Sequence, residues 1–432
     1  MLDINFIREN KDKVKEAVKL KGLDVDIEKL LLLDKKRREI LHKIEVLRQK
    51  RNQNAKLLEK SKKEKEDFKK LIEEGRKIKE EIAKKEEVFR KIEREYNELM
   101  LLVPNIPAKD VPIGDESKKK IIKNWGEIPR FDFKVKSHIE IGENLDLIDF
   151  KAGVKTSGFR GYYLKNEAVL LQFAILWHAL NKVIEKGFTP FWPPVLLREF
   201  ALIGSGHFPF SKEDIYQIAN PGKLESGEDI KEKIFLAGTS EPSLLAYFAD
   251  KTLKEEDLPI KVCGISPCYR SEVGSYGKDT KGLYRLHEFM KVEEVVLCKN
   301  DQRESNKWLE EMVKISEEVL RDLHLPYRVV EIPTGDMGAG KYKMYDIETW
   351  MPSREDFCET HSASNLTDWQ ARRLNIKYKN KRGEKYYVYT LNNTVIASPR
   401  ILIAILECYQ QKDGSVLVPK VLRQYLRFDK IK

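Results

Sequence analysis

No proline occurs before Pro104, and from Ile27 to Met100 there is one glycine, Gly75, and only three aromatic residues. A stretch so poor in turn formers excludes a turn-rich sheet domain there and leaves long helices. Cysteine is scarce, with five residues at 263, 268, 298, 358 and 408. Only Cys263 and Cys268 lie close together, with no second close pair and no histidine at finger spacing, so neither a disulfide scaffold nor a structural zinc site is expected. No segment approaches the roughly eighteen apolar residues of a membrane span. The opening MLDINFIRENKDKVKEAV carries acids early and has no long apolar core, unlike a secretory signal. No membrane partner and a reducing, cytoplasmic setting are therefore expected. Neither GxGxxG nor GxxxxGK[ST] occurs, so a nucleotide would not be held by a Rossmann or P-loop device.

What is present is charge. Of 432 residues, 35% are charged and 41% hydrophobic, with a formal net charge of +10. That suits a globular chain of two or three domains with an anionic partner or ligand. Residues 27–100 hold 24 lysines and arginines against 17 acids, a surplus of seven. Within them Ile78, Ile82, Lys85, Phe89, Ile92, Tyr96 and Leu99 alternate steps of four and three, a heptad seam with one lysine in it. Leu30, Leu41, Ile44, Leu47, Ala55 and Leu58 form a looser stripe, and the polar run Lys60–Lys70 between the two reads as a hairpin tip. The expectation is an antiparallel two-helix coiled-coil arm about 50 Å long. A positive arm suits a nucleic-acid backbone; a solvated or protein-binding coiled coil has the same composition, and charge alone does not choose.

Residues 1–25 read as a short helix and turn ended by Gly22, and 101–135, with Pro104, Pro107 and Pro112, as an extended linker. Glu167–Lys186 is an apolar helix buried on more than one face. Pro193-Pro194 after GFTPFW marks an edge strand, since a proline cannot donate within a sheet, and this edge could meet a second subunit. A helix over Asp301–Leu320, a strand over Tyr327–Ile332, a strand and turn over 385–397, and a helix after Pro399 complete an α+β body, an antiparallel sheet with helices packed on it.

The chain is organised around Cys268–Leu297. Two strand-like runs flank a loop rich in Gly, Ser, Lys and Asp, and an antiparallel hairpin would set Arg270 and Arg285 on neighbouring strands. Two guanidinium forks with Glu272, Glu293 and Phe289 beside them could hold a phosphorylated, ring-bearing ligand. Taken singly, such Arg–Glu pairs are more often surface ion pairs, and a lone strand Phe is more often core.

Three blocks, GFTPFWPPVLL, CYRSEVGSYGKDTKGLYRLHEFMKVE and TLNNTVIASPRILIAILECYQQKDGSVLVPKVL, resemble in sequence and order motifs 1, 2 and 3 of seryl-tRNA synthetases of the common bacterial and eukaryotic type. The arm, VPNIPAKDVPIG, IFLAGTSEPSL and YDIETWMPSREDFCETHSASNLTDWQARR are similar to the same family, so the resemblance spans nearly the whole chain. It implies a class II synthetase fold divided into a helical tRNA-binding domain (1–103, arm about 27–100), a linker (104–130) and a catalytic domain (131–432). It implies ATP, Mg2+ and L-serine, tRNA(Ser) and tRNA(Sec) as acceptors, and a homodimer formed near 187–197. The motif positions imply that Arg270 meets the α-phosphate and the substrate carboxylate, and that Arg285 and Arg400 hold the γ-phosphate. Phe289 stacks on adenine, Glu272 accepts from its amino group, and Glu359 and Ser362 sit at the metal. Thr239, Glu241, Glu293, Asn392 and Thr394 form the serine pocket, with Thr394 toward the substrate hydroxyl. The lesser reading of Thr239 is a turn or capping residue; Glu348 reads equally as a second acid or an ion-pair partner, and Cys358 as packing. The basic loop Ser275–Lys281 is expected to meet the tRNA acceptor end, and Asn220–Lys233 to edge the site or be plain surface.

The chain departs from the pattern at Asn393, where Gly is frequent, at His361, where Ser is common, and at Ser240-Glu241-Pro242. Asn393 tolerates the left-handed backbone that a turn there would need. Three rivals share part of the pattern: a truncated relative that loads a carrier protein, which lacks the arm; an inactive RNA-binding relative, which would lack Arg270, Arg400 or Glu359; and a synthetase for another small amino acid.

Overall fold

The computed structural model describes residues 1–60, 65–273 and 281–432. The turn-poor stretch forms helices α1 (Ile27–Lys60) and α2 (Lys65–Leu102). Their cross-helix ion pairs, Lys29–Glu95, Arg37–Glu93 and Arg48–Glu86, descend α2 as they climb α1, so the helices are antiparallel. Every member of the heptad seam is buried or half-buried, while Ile72 and Val88 off the seam are exposed. Residues 61–64 lie outside the described set, and α2 begins at Lys65, so the expected tip is partly helical. At the base of the pair, Asp34 is buried between Arg8 and Arg38. Leu2–Val103 is one compact unit; Pro104–Lys432, with Met1, is the other.

The second unit is built on an eight-stranded sheet. In chain order its strands are β1 (Lys120–Trp125), β2 (Thr189–Phe191), β3 (Ile260–Tyr269), β4 (Glu288–Cys298), β5 (Tyr327–Glu331), β6 (Lys343–Met351), β7 (Asp356–Thr367) and β8 (Tyr389–Ala397). In space they run β1-β5-β6-β7-β8-β4-β3-β2. All pairs are antiparallel except β2 with β3. Helices α3 (Asn166–Glu185), α4 (Gln302–Asp322) and α5 (Ser398–Cys408) cover one face. Ile401 to Leu406 of α5 are all buried, as befits a helix apolar all round.

Four expectations need correction. Residues 104–130 are not only linker, because Lys120–Trp125 pairs as the edge strand β1; no proline lies between Pro112 and Pro129, so nothing there bars a strand. Asn392-Asn393 is no turn but the middle of β8, paired on both sides, because a central strand gives its backbone groups two partners. Arg270 and Arg285 lie just beyond the ends of β3 and β4 rather than within them. Finally, α3 does have the length and hydropathy of a membrane span, but half of that window is buried inside the body. Its outer face exposes Leu170, Phe173 and Trp177. The edge strand expected before Pro193-Pro194 is β2, which ends at Phe191.

Strand β4 lies deep in the sheet, and its two faces differ. Val292, Val296 and Cys298 enter the core under α3 and α4, with Glu294 among them. On the other face Val295 and Leu297 join a second core with Leu244, Leu245 and Leu374, whereas Phe289 and Lys291 line an open cleft and Glu293 is buried on the same face. The period-two alternation of a strand makes this division. The helix Glu241–Ala246 packs directly over β3 at Gly264, where a Cβ would stand 2.6 Å from Ser240 Oγ and 2.9 Å from its Cβ. Gly264→Ala should therefore destabilise the chain by about 1–3 kcal/mol through overpacking, read as a lower midpoint of chemical denaturation.

Candidate active site

The sheet face opposite α3 opens into a cleft of about 210 Å³. Its floor is Phe289 and Lys291 of β4, Thr394 of β8, and Glu359 to Ser362 of β7. Its walls are Arg270, Glu272, Tyr284 and, from the first turn of α5, Arg400. Residues more than a hundred positions apart thus converge because β7, β8, β4 and β3 are adjacent in space.

Arg270 is anchored by its Nε, which donates to Gly238 O at 3.1 Å, and its guanidinium carbon lies 5.5 Å from the Phe289 ring centre. Its backbone N–H closes the end of the β3–β4 pair on His287 O at 3.0 Å. Arg400 donates from Nη1 to Glu359 O at 3.0 Å, meets Glu359 Oε1 at 3.3 Å, and lies 4.5 Å over the Tyr284 ring. The Tyr284 hydroxyl donates to the same Glu359 carbonyl at 3.0 Å, and burial pushes that phenol well up from its usual range. Arg285 does not line the cleft. It reaches it through Glu272, donating to Oε2 at 3.2 Å, with Arg160 3.9 Å from that oxygen. Glu272 has φ 54°, a left-handed backbone that costs a non-glycine residue about 1–2 kcal/mol.

Behind the floor sits a buried polar group. Glu241 Oε1 accepts from Asn392 Nδ2 and from Gln370 Nε2, each at 2.6 Å. Glu293 Oε2 accepts from Thr394 Oγ1 at 3.0 Å and pairs with Lys291 Nζ at 2.6 Å. Glu293 stands directly opposite Thr394 on one side and Gly264 on the other. Thr239 is buried beside them, and its Oγ1 accepts from Glu241 N at 3.5 Å. Of the residues anticipated from sequence, Arg270, Glu272, Phe289, Glu359, Ser362, Thr394 and Arg400 share the open cleft. Thr239, Glu241, Glu293 and Asn392 form the buried group, and Thr394 belongs to both.

Lys291, Tyr284, Gln370 and Asp346 were not anticipated. Lys291 was within reach of a sequence argument, since positions 289, 291 and 293 of a strand share a face. Asp346 is buried opposite Ser362, and burial, then the charge of Glu359, holds its carboxyl well above the usual range. Glu348 pairs with Arg328 and lies 3.7 Å from Lys119, which favours its reading as an ion-pair partner. His361 is buried with Nδ1 2.8 Å from Thr360 Oγ1, and burial, aided by Arg400, lowers its pKa to about 3, so the ring stays neutral. Cys358 is half-buried against Arg354. Asn220–Lys233 is mostly exposed, and the Ser275–Lys281 loop, apart from Lys281, lies outside the described residues.

On the far side of the floor, Asn393 Nδ2 donates to Glu294 Oε2 at 3.0 Å, Ser316 Oγ at 2.9 Å and Met312 O at 3.1 Å. Glu294 is fully buried and pushed up to about 8 by that burial, with the Asn393 bond opposing. Its Oε1 and Asn393 Oδ1 are buried atoms with no hydrogen-bond partner among the described residues. A protonated Glu294 has a donor to offer where a carboxylate has none.

An antiparallel sheet covered by helices on one face, with separated arginines meeting on the other, is the architecture of a class II aminoacyl-tRNA synthetase. Residues 223–409 match the family model described as tRNA synthetase class II core domain (G, H, P, S and T). Residues 1–107 match Seryl-tRNA synthetase N-terminal domain. Serine–tRNA ligases of Deinococcus radiodurans and Borreliella afzelii are 44% and 43% identical, over 99% and 100% of this chain and 97% and 99% of their own. The chain belongs to the seryl-tRNA synthetase family. Its structure is similar to that of seryl-tRNA synthetase from Pyrococcus horikoshii complexed with ATP, with a TM-score of 0.87 and 39% identity over 100% of this chain and 99% of that one. Giardia lamblia prolyl-tRNA synthetase, at 17% identity and a TM-score of 0.58 over 67% of this chain and 56% of its own, shares the fold alone.

Glu294 supplies a pH test. Between the usual carboxylate range and about 8 the folded chain holds a proton that the unfolded chain has lost, so this group's contribution to stability falls as pH rises through that window. Urea midpoints from pH 5 to pH 8 should shift in favour of Glu294→Gln over the natural chain, by at most about 1.4 kcal/mol per pH unit. A difference that does not change with pH would show that Glu294 is already ionised.

Proposed function

We propose that this chain activates L-serine with ATP to seryl-adenylate and pyrophosphate and then transfers the seryl group to tRNA(Ser), and also to tRNA(Sec). The observation that carries the reading is contiguity. An open cleft with guanidinium groups and an aromatic ring adjoins, through Thr394, a buried group of carboxylate, amide and hydroxyl side chains. The first suits a nucleotide, the second a small ammonium-bearing substrate. The Pyrococcus relative's complex with ATP, and the AMP complex of a cytoplasmic serine–tRNA ligase from Naegleria fowleri, similar at a TM-score of 0.85 and 31% identity over 100% of this chain, support it.

In this reading Phe289 stacks on adenine, Glu272 accepts from its amino group, and Arg400, with Arg285 once it leaves Glu272, holds the γ-phosphate so that the triphosphate bends. Serine enters with its ammonium toward Glu293 and Glu241, ringed by Thr239 and Asn392, and its hydroxyl toward Thr394. The serine carboxylate attacks the α-phosphorus in line, and Arg270 neutralises charge that grows on the α-phosphate oxygens. The protein forms no bond; placement and preorganised charge lower the barrier. Glu359 and Ser362 would hold Mg2+, which supplies further charge neutralisation when bound. They offer only hard oxygen donors, and no group of three acids, histidines or cysteines suited to a metal occurs among the described residues. Such a donor set fits an ion that arrives largely coordinated by phosphate.

Residues 1–103 act as the tRNA-binding domain in this reading, the coiled-coil arm meeting phosphates with its surplus of positive charge. Residues 131–432 are catalytic. The exposed Leu170, Phe173 and Trp177 of α3, with Trp192 beside the β2 edge at 74% exposure, support a homodimer through the 187–197 region. The five free cysteines suit a reducing cytoplasm.

ATP–pyrophosphate exchange should depend on serine and be far weaker with alanine or threonine. Arg270→Ala should lower it about 10²–10³-fold. Exchange without dependence on serine would sink the assignment. A chain lacking residues 30–98 should keep exchange yet lose most transfer to tRNA, measured as charged tRNA per active site; equal loss of both, or of neither, would show that the arm has another role.

A further inference from the structure

Among the described residues lining the cleft, the roles above leave one buried cation unused. Lys291 is 4% exposed. Its Nζ lies 2.6 Å from Glu293 Oε2 and donates to Thr394 Oγ1 at 3.3 Å, while Thr394 Oγ1 donates to that same Glu293 oxygen at 3.0 Å. The three groups form a closed triangle on one sheet face, at the junction of the cleft and the buried group.

Two consequences follow from the donor count. A hydroxyl has one hydrogen and two lone pairs. The Thr394 hydrogen is committed to Glu293 and one lone pair to Lys291, so this hydroxyl can only accept from a newcomer. The charge count is equally restrictive. Glu241 and Glu293 are both buried, and Asn392, which donates to Glu241, and Thr394, which donates to Glu293, lie two residues apart on β8. Two buried carboxylates without a counter-ion would be costly and would draw a second cation or a proton. With the Lys291 ammonium in place, one negative charge is left.

We propose that Lys291 is a positioning residue that sets the specificity of this pocket, leaving one carboxylate charge for one substrate ammonium and one Thr394 lone pair for a substrate hydroxyl. The inference rests on the serine-activating reading above. A substrate with an ammonium and a donating hydroxyl satisfies both; alanine leaves the Thr394 lone pair unpaired, the kind of loss that gives strong discrimination.

The test measures exchange kinetics of the full chain and of Lys291→Met, Lys291→Gln and Lys291→Arg with serine, alanine and ATP varied in turn, alongside melting curves. The neutral variants should raise KM for serine at least about tenfold, a loss expected for a charged hydrogen bond. KM for ATP should stay within about threefold, and the serine-to-alanine ratio of kcat/KM should fall by about tenfold or more. Lys291→Arg should recover part of the serine affinity, because it keeps the charge. Should Lys291→Met lose its cooperative melt, Lys291→Gln, which keeps a stem and a donor of similar length, decides the question. A neutral variant with unchanged serine KM and unchanged selectivity, or Lys291→Arg no better than Lys291→Met, overturns the proposal. Failure of the natural chain to exchange with serine overturns the functional reading itself, and the two failures are told apart by that control.

Discussion

The structure depends on the register of β4. Paired with β3 on one side and β8 on the other, this strand sends Lys291 and Glu293 to the cleft face and Val292 and Val296 to the core. A slip of one residue would bury an ammonium and a carboxylate among Leu, Ile and Val and turn valines into the site, which no hydrogen bond could offset. The register is held from both flanks by apolar side chains, with Val295 and Leu297 in a second core on the cleft side. The functional face is therefore cheap to place but must satisfy its own polar groups.

It does so by saturating them locally. Glu241 is held by two amides, Glu293 by a lysine and a threonine, and Arg400 by Glu359 and Tyr284. Such a network orders its polar groups before any ligand arrives. The same saturation explains why isolated residues are poor guides to this site. Arg285 is engaged with Glu272, so an anion arriving there would have to displace a carboxylate. The Glu294–Asn393 pair on the opposite face binds β4, β8 and α4 together, and there too a charged carboxylate would be unwelcome.

Much of this was legible in the chain. The heptad seam marked the inner face of α2 residue by residue, because a proline-free helix with one apolar seam has one way to bury Ile82 and Tyr96. The proline pair after Phe191 marked the edge strand. Asn392-Asn393 misled, since a dipeptide with turn chemistry was extended by partners on both sides, and Lys120–Trp125 was hidden in a stretch named for its prolines. Residue type does not mark Lys291 as buried, because a lysine in a strand ordinarily reaches solvent.

What the sequence determined by itself is local: helix against strand, which residues share a face, and which residue types are available for charge and hydrogen bonding. These follow from backbone periodicity and side-chain chemistry, which act within a few residues. Tertiary structure decided which faces meet. The adjacency of β7, β8, β4 and β3 brings Glu359, Thr394, Lys291 and Arg270 around one cleft, and it makes Lys291 a buried counter-ion instead of a surface charge. The reason is that burial and pairing are properties of contacts between distant segments, and a charge takes its role from the partner and the dielectric that those contacts supply.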